Sequence, residues 1–489
     1  HRDLHGTSHS FPTRRSSDLF VPDSIPALSA EDLAVMAKQS YQDRARRILG
    51  LYLTDFSAAE INDCVNAAYN ARTFDDPKIA PLVPVDESLY VQELWHGPTC
   101  AFKDMALQML PHLLTLSMAK TEEAGDIVIL VATSGDTGKA ALEGFKDVDR
   151  TRIIVFYPDE GVSEVQKRQM VTQEGSNVFV AAVAGNFDDA QSGVKRIFGN
   201  PSFNNHLADH GLKLSSANSI NWGRLLPQIV YYVSAYADLL AGGEIAPGDA
   251  VNVVVPTGNF GNILAAYYAR CMGVNINRLL CASNSNNILT DFINTGTYNR
   301  KRQFYKTISP SMDILISSNL ERLLFEVTGR DAAKVAGWME ELARNGIYSI
   351  DQAAIMKIKE IFWADYSSEK ETLETIAQVW NKYAYLVDTH TAVGINVYNK
   401  YLEAEGDDRP TIIASTASPY KFGGSVARAI LGKNGLDEFE ALLELERFTG
   451  VPIPPAIKGI AGKAIRFSGC TDRGKMRELV LELISEKKV

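Results

Sequence analysis

The sequence lacks the features that mark membrane proteins and nucleic-acid-binding proteins. Its 489 residues contain no apolar run of about eighteen residues, the length that a membrane-spanning helix needs, so we expect no membrane span. The net charge is −10 and no basic stripe is present, which argues against nucleic acid as a partner. Internal repeats and low-complexity segments are also absent, which argues against a repeat protein.

Cysteine is scarce and scattered. The five cysteines form no Cys-x-x-Cys pair and show no metal-ligand spacing; they are Cys64, Cys100, Cys271, Cys281 and Cys470. Isolated cysteines of this kind are typical of reduced thiols in a reducing compartment. We therefore expect a cytoplasmic protein with no metal site.

The composition is that of an ordinary globular protein, with 46% apolar and 22% charged residues. Residues 1–19 are an exception, because 9–19 resemble a translated sequencing-adaptor oligonucleotide. We expect them to be non-native and native sequence to begin near Phe20. Arg14 and Arg15 leave a transit peptide as the alternative.

Beyond that leader, the chain changes from a helical pattern to alternating strands and helices. Residues 20–82 contain two capping-box signals, Ser29 with Asp32 and Ser57 with Glu60, which predict helix starts. Near-continuous apolar runs then predict buried parallel strands at 89–94, 126–132, 151–156, 177–182, 251–255 and 411–414.

Helical patterns separate these runs, which predicts an α/β protein with mostly parallel sheets. We expect two α/β subdomains over 83–440, with a helical insertion at about 300–375. A carboxy-terminal segment, 441–489, should pack on them.

The stretch His96–Asp104 places a lysine between a predicted strand and a predicted buried helix. Lys103 would lie at the carboxyl end of a strand, where open α/β sheets bind ligands. A desolvated lysine there can lose its proton and attack a carbonyl group, forming a Schiff base. The alternative is an ordinary lysine whose ammonium group reaches water.

A glycine-rich turn follows the predicted strand 251–255. Its backbone N–H groups can converge on an anion at the start of the next helix; they belong to Gly258, Asn259, Phe260, Gly261 and Asn262. The spacing matches neither a nucleotide P-loop nor a dinucleotide fingerprint, so a single phosphate group fits better. Turn formation alone is the alternative.

Two further loops also follow predicted strands. In Ala132–Gly138, Ser134 and Thr137 with the turn amides can bind a carboxylate or a phosphate. The alternative is a helix start capped by Asp136 or Ser134. In the loop after strand 411–414, the hydroxyl groups, Thr416 among them, can hold an uncharged heterocyclic nitrogen. Together the lysine, the phosphate loop, the carboxylate loop and the hydroxyl match pyridoxal 5′-phosphate, which carries an aldehyde, a phosphate and a pyridine.

These motifs resemble the threonine synthase family, in the longer form found in fungi and many bacteria. The resemblance covers the chain from Phe20 onward, so 20–82 would be the family's amino-terminal domain. It rests on seven segments, which are His96–Asp104, Thr133–Gly138, Gly161–Met170, Ser216–Arg224, Gly258–Asn262, Asp388–Ala392 and Ser415–Pro419.

The resemblance implies a tryptophan-synthase-β-like fold, the type II fold of pyridoxal-phosphate enzymes, with the cofactor between two α/β domains. It implies conversion of O-phospho-L-homoserine and water to L-threonine and phosphate. Lys103 would be the Schiff-base lysine, Gly258–Asn262 would hold the cofactor phosphate, and Thr416 would face the pyridine nitrogen. Asp136 would lie by the phenolic oxygen, where many relatives have Asn; such a carboxylate must be protonated or accept a proton.

The same resemblance suggests the substrate site and leaves alternatives. Departing phosphate needs cationic and hydrogen-bonding partners, for which we expect Ser219, Asn221 and Arg224. A structural salt bridge is the alternative for Arg224, and the roles of His96 and His390 stay open. A serine or threonine dehydratase and a non-catalytic phosphometabolite-binding relative are the competing functions. We expect a monomer or a weak homodimer.

Overall fold

The computed structural model describes residues 19–159, 162–433 and 435–485, so the expected leader lies almost wholly outside them. Three helices come first, as predicted: α1 (Ala30–Met36), α2 (Tyr41–Tyr52) and α3 (Ala58–Ala68). The caps of α1 and α3 are full capping boxes, formed by Ser29 with Asp32 and by Ser57 with Glu60.

The first of two large sheets has six strands in the order β1-β2-β12-β7-β8-β11. They are β1 (Leu82–Asp86), β2 (Leu89–Glu93), β7 (Val251–Pro256), β8 (Ile276–Ser283), β11 (Phe362–Tyr366) and β12 (Thr411–Ser415). Only β1 pairs antiparallel within this sheet. Every residue of β7 and β12 is buried, as expected for parallel strands covered on both faces.

The second large sheet is parallel and has five strands in the order β13-β5-β4-β3-β6. They are β3 (Asp126–Ala132), β4 (Thr151–Pro158), β5 (Val178–Ala184), β6 (Leu212–Ser215) and β13 (Cys470–Asp472). The carboxy-terminal segment thus adds a strand to this sheet. The predicted fold of two open, mostly parallel sheets is confirmed.

Helices cover both sheets and connect their strands. The remaining α-helices are α4 (Asp104–Leu107), α5 (Leu110–Lys120), α6 (Asp136–Phe145), α7 (Glu164–Val171), α8 (Phe187–Phe198), α9 (Pro201–Asp209), α10 (Trp222–Gly242), α11 (Gly261–Cys271), α12 (Ile288–Thr295), α13 (Leu320–Val327), α14 (Ala332–Asn345), α15 (Gln352–Ile361), α16 (Glu369–Tyr383), α17 (Thr389–Glu405), α18 (Gly423–Leu431), α19 (Glu438–Thr449) and α20 (Met476–Ser485). None of the described helices combines the length and the apolar character needed to cross a membrane.

The segment predicted as a helical insertion is only partly helical. It contains α13, α14 and α15, but β10 (Ile347–Ser349) pairs with β9 (Thr297–Asn299), and β11 extends the first large sheet. In β11, Phe362 and Ala364 are buried and alternate with more exposed residues. A period-two pattern this short is hard to see between two longer helical patterns.

His96 connects the amino-terminal region to the first sheet. Its Nδ1 lies 2.6 Å from Asp75 Oδ1, and its Nε2 lies 2.8 Å from Glu93 Oε2. Burial alone would lower the pKa of His96, but the two carboxylates outweigh that effect and raise the pKa to about 9. His96 is therefore charged at neutral pH and pairs with both acids.

This charge makes a pH-dependent contribution to stability. Because the folded pKa lies above the ordinary value, the contribution is complete below about pH 6.5 and is lost as pH rises through 9. We expect His96→Gln to destabilise the protein by about 3 kcal/mol at pH 6.5 and by much less at pH 10. Denaturant unfolding at both pH values measures this, with exposed His206→Gln as the control; equal losses at both would contradict it.

Candidate functional site

One cleft gathers residues that follow strands of both large sheets. The expected residues that line it are Lys103, Ser134, Asp136, Thr137, Ser219, Arg224, Gly258, Asn259, Phe260, Gly261, Asn262 and Thr416. Parallel strands end at the same edge of their sheet, and two such edges meet here. The cleft also includes Asn218, Ser311 and His390.

Short backbone contacts hold the Lys103 loop beside the Thr416 loop. The amide of Phe102 donates to Thr416 O at 2.8 Å, and the amide of Ser418 donates to Cys100 O at 3.1 Å. The lysine loop is also folded back on itself, because buried Asp104 accepts hydrogen bonds from the amide (2.8 Å) and the hydroxyl (2.7 Å) of Thr99. Lys103 and Thr416 are therefore neighbours by backbone geometry.

The Lys103 amine is suited to act as a base and nucleophile near neutral pH. Its side chain is only 11% exposed, and its Nζ lies 3.6 Å from Asp136 Oδ2. Burial lowers the pKa of Lys103 to about 8; Asp136 acts in the opposite direction, while Lys421 and Arg224 lower the pKa further. A useful fraction of the amine is thus unprotonated at physiological pH.

Asp136 is a buried carboxylate with four polar partners. Its Oδ1 accepts from Lys421 Nζ (2.7 Å) and Gln166 Nε2 (2.8 Å), and its Oδ2 accepts from Ser311 Oγ (3.1 Å) and faces Lys103. Burial would raise its pKa, but the ammonium groups of Lys421 and Lys103 hold that pKa well below its usual range. Asp136 is therefore ionised.

Three of the four Asp136 partners were missed in the sequence. Lys421, Gln166 and Ser311 come from three segments far apart in the chain. Lys421 closely follows the hydroxyl loop that contains Thr416, and Gln166 lies in the segment Gly161–Met170, so these two had a local signal.

The glycine-rich loop presents donors to the cleft at the start of α11. Phe260, with φ 62°, turns the chain into the helix. Gly258 is required by close packing, since a Cβ there would lie 2.5 Å from Ser311 O. Asn262 Oδ1 accepts hydrogen bonds from the hydroxyls of Tyr231 and Tyr232. The Nδ2 atom of the same side chain is buried and has no partner in the described residues. An unpaired donor at a helix start is suited to an anion.

Arg224 is a second donor without an acidic partner. It is 2% exposed; Nη1 donates to Ala217 O, and Nε has no partner in the described parts of the chain. No carboxylate lies within ion-pair distance of it among those residues. Burial lowers the pKa of Arg224 to about 10, so the group stays charged at neutral pH. The salt-bridge alternative for Arg224 is thus not found.

Two buried residues position the segment around Ser219. Arg322 donates to the carbonyls of Ser219 (3.3 Å) and Ile220 (2.6 Å), and Asn319 Nδ2 donates to Ser219 Oγ at 3.1 Å. Asn319 Nδ2 also donates to Asn259 O at 2.9 Å, which joins this segment to the glycine-rich loop. Neither residue was expected at the site.

The structure places Asn221 differently from the expectation. Its Oδ1 accepts from the Gly223 amide at 2.9 Å, its Nδ2 donates to Ser216 O at 3.2 Å, and it caps α10. Within the described residues, Asn221 is not part of the cleft lining. An Asn at a strand-to-helix turn serves equally well as a cap or as a ligand, and here it is the cap.

The two histidines and the loop Ala132–Gly138 also have defined positions. His390 Nδ1 lies 2.7 Å from Asp388 Oδ2, and His390 Nε2 accepts from the Ser311 amide at 3.2 Å, so His390 positions Ser311. His96 is bound to two acids away from the described cleft lining. Neither Ser134 nor Asp136 caps α6; the hydroxyl of Thr133 accepts the amides of Gly135 and Gly138, both at 2.9 Å.

These features fit pyridoxal 5′-phosphate on chemical grounds. A partly desolvated amine fits its aldehyde, and the unpaired Asn262 Nδ2 at the start of α11 fits its phosphate. Thr416 offers a neutral hydroxyl in the same cleft. The buried Arg224 lies in this cleft as well and adds a second place for an anion.

Comparison with known proteins places the chain in a family. Residues 72–355 match the model for pyridoxal-phosphate dependent enzymes, 16–69 match the threonine synthase amino terminus, and 391–472 match the threonine synthase carboxy-terminal region. Human Threonine synthase-like 1 is 41% identical over 422 residues, which are 84% of this chain and 56% of that protein. The chain thus spans little more than half the length of this relative.

Relatives of similar length are also found. Threonine synthase of Pseudomonas aeruginosa is 38% identical over 416 residues, 85% of each chain. The crystal structure of PLP-bound threonine synthase from Brucella melitensis is 36% identical, covers 96% of each chain, and has a TM-score of 0.82. The chain belongs to the threonine synthase family of pyridoxal-phosphate-dependent enzymes.

Proposed function

We propose that the chain converts O-phospho-L-homoserine and water to L-threonine and phosphate. The observation that carries this proposal is the presence of two separate groups of anion donors in one cleft. The start of α11, with Asn262 Nδ2, supplies one group. The buried Arg224, which has no acidic partner in the described residues, supplies the other. A cofactor phosphate uses only one of them, so the second favours a substrate that carries its own phosphate.

We assign the cleft residues as follows. Lys103, Asp136, Thr416 and Gly258–Asn262 hold the cofactor, which supplies an aldehyde for the amine and a ring that withdraws electrons from the substrate Cα. Arg224 and Ser219 bind the substrate phosphate. Ser134 and Thr137 sit at the start of α6, where a carboxylate is favoured, and bind the substrate carboxylate.

Lys103 then moves the protons of the reaction. It takes the proton from the substrate Cα, and loss of a further proton from Cβ lets phosphate leave Cγ. Protonation at Cγ, addition of the hydroxyl group of water at Cβ and return of a proton to Cα complete the change to threonine. An amine whose pKa is about 8 can both take up and return protons near neutral pH. Arg224 meets the negative charge that develops on the departing phosphate.

Product analysis tests the proposal directly. Purified holoenzyme with O-phospho-L-homoserine should release phosphate and threonine in equal amounts. Release of a 2-oxo acid and ammonia from serine or threonine, without turnover of phosphohomoserine, would favour the dehydratase instead. Binding of phosphohomoserine without any product would favour the non-catalytic relative.

Lys103→Ala should abolish activity and the covalent link to the cofactor, because no other amine is assigned to the aldehyde. Borohydride reduction followed by peptide mapping should place the pyridoxyl group on Lys103 in the native enzyme and find none in the variant. Lys139→Ala is the matched control, since Lys139 pairs with Glu143 outside the described cleft lining. A pyridoxyl group on another lysine would contradict the assignment.

Arg224→Met should lower kcat/KM for phosphohomoserine by about ten- to a hundredfold, since a charge-assisted hydrogen bond contributes roughly 1.5–3 kcal/mol. Arg224→Lys should recover only part of this, because an ammonium lacks the planar fork. The Tm of the substrate-free enzyme should not fall in Arg224→Met, since the variant removes a buried charge that has no acidic partner.

A control separates this role from general damage. Arg278→Ala, which removes a surface arginine that donates to the carbonyls of Lys359 and Glu360, should leave kcat/KM unchanged. Weaker cofactor binding in Arg224→Met, with an unchanged kcat/KM for phosphohomoserine at saturating cofactor, would mean that the two phosphate sites are exchanged.

A further inference from the structure

Lys421 is a buried charge that none of the roles above uses. It lies in the 3₁₀ turn Pro419–Phe422, shortly after β12, and it is 0% exposed. Its Nζ donates to Asp136 Oδ1 at 2.7 Å and to Thr99 O at 2.9 Å. An ammonium group this deeply buried is costly unless a carboxylate compensates it, and Asp136 is the carboxylate at that distance.

Asp136 faces two lysines with different oxygens and at different distances. Lys421 makes a direct contact with Oδ1, whereas Lys103 lies 3.6 Å from Oδ2. One carboxylate can offset one positive charge. The contact of Lys421 is the shorter one and is wholly buried, so the negative charge of Asp136 mainly compensates Lys421. The ammonium form of Lys103 is then only partly compensated.

We propose that Lys421 is a positioning residue that balances the charge of Asp136, so that Lys103 is left free to lose its proton. The proposal rests on the assignment of Lys103 made under the proposed function. Lys421 acts through Asp136 and does not itself touch the reacting atoms. Lys421 closely follows Thr416 in the chain, so one short segment both lines the cleft and places an ammonium group against the carboxylate beside Lys103.

The electrostatics of the cluster agree with this geometry. Burial lowers the pKa of Lys103, Asp136 opposes that effect, and Lys421 adds to it. Without Lys421, Asp136 would act on Lys103 alone, and the pKa of Lys103 would rise. The charged and titratable groups that act on the two lysines are Asp136 of α6, Arg224 of α10, Asp104 of α4 and the Cys100 thiol.

Lys421→Gln tests the proposal, because an amide can keep the hydrogen bonds but not the charge. Lys103 must be neutral to accept a proton, so a higher pKa moves the acid limb of the kcat–pH profile of the holoenzyme upward. We expect a shift of about one pH unit, with about tenfold lower kcat at pH 7 that recovers at higher pH. The control is Lys139→Gln, which removes another buried lysine from an acid pair and should leave the acid limb in place.

The double variant Asp136→Asn/Lys421→Gln separates charge balance from general structure. Each single variant breaks the direct contact between two buried charges and should lower the Tm of the holoenzyme by several degrees. The double variant removes both charges and should restore most of the Tm and return the acid limb toward its original position. An unshifted acid limb in Lys421→Gln would overturn the proposal.

A double variant no more stable than Lys421→Gln would also overturn it, and this comparison of stability holds even if Lys421→Gln does not fold. Peptide mapping after borohydride reduction keeps the two proposals apart. A pyridoxyl group on a lysine other than Lys103 would defeat the assignment of Lys103. A pyridoxyl group on Lys103 together with an unshifted acid limb would defeat only the role of Lys421.

Discussion

The site depends on one buried ion pair, between Asp136 and Lys421. Asp136 begins α6, which follows β3 of the second large sheet, and Lys421 lies shortly after β12 of the first large sheet. The 2.7 Å contact therefore joins segments that follow the two large sheets. Removing Asp136 would leave the buried ammonium group of Lys421 without this carboxylate, and removing Lys421 would leave Asp136 with only the longer contact to Lys103. The pair is therefore a strong constraint on how those segments meet.

The same cleft keeps donors without acceptors. Arg224 Nε and Asn262 Nδ2 are buried and have no partner in the described chain, although unsatisfied donors cost free energy. Helices fix both side chains, since Arg224 lies in α10 and Asn262 in α11. Donors held in place before binding lose little conformational entropy when an anion binds. The unpaired donors therefore lower the stability of the ligand-free protein and favour anion binding.

Much of the fold could be predicted because its signals are local. Continuous apolar runs identified the buried parallel strands, and the capping boxes at Ser29 and Ser57 identified the first helices. The pieces of the site could also be predicted, since parallel strands end at one edge and loops there bind ligands. The strand β11 was not predicted, because its five residues show too short a pattern. Asn221 was expected at the substrate site and is found as the cap of α10, because its side chain suits a cap and a ligand equally well.

The sequence by itself determined the order of strands and helices, the segments that carry the lysine, glycine and hydroxyl motifs, and the family to which they belong. Only the tertiary structure decided which charges face one another. Asp136, Gln166, Ser311 and Lys421 lie in separate segments and share no local pattern, yet they meet in one hydrogen-bonded group. The ionisation of Asp136 arises from that meeting, whereas the pKa of Lys103 is lowered mainly by burial, with Lys421 adding to the effect. Burial and distance between charges exist only in the folded chain.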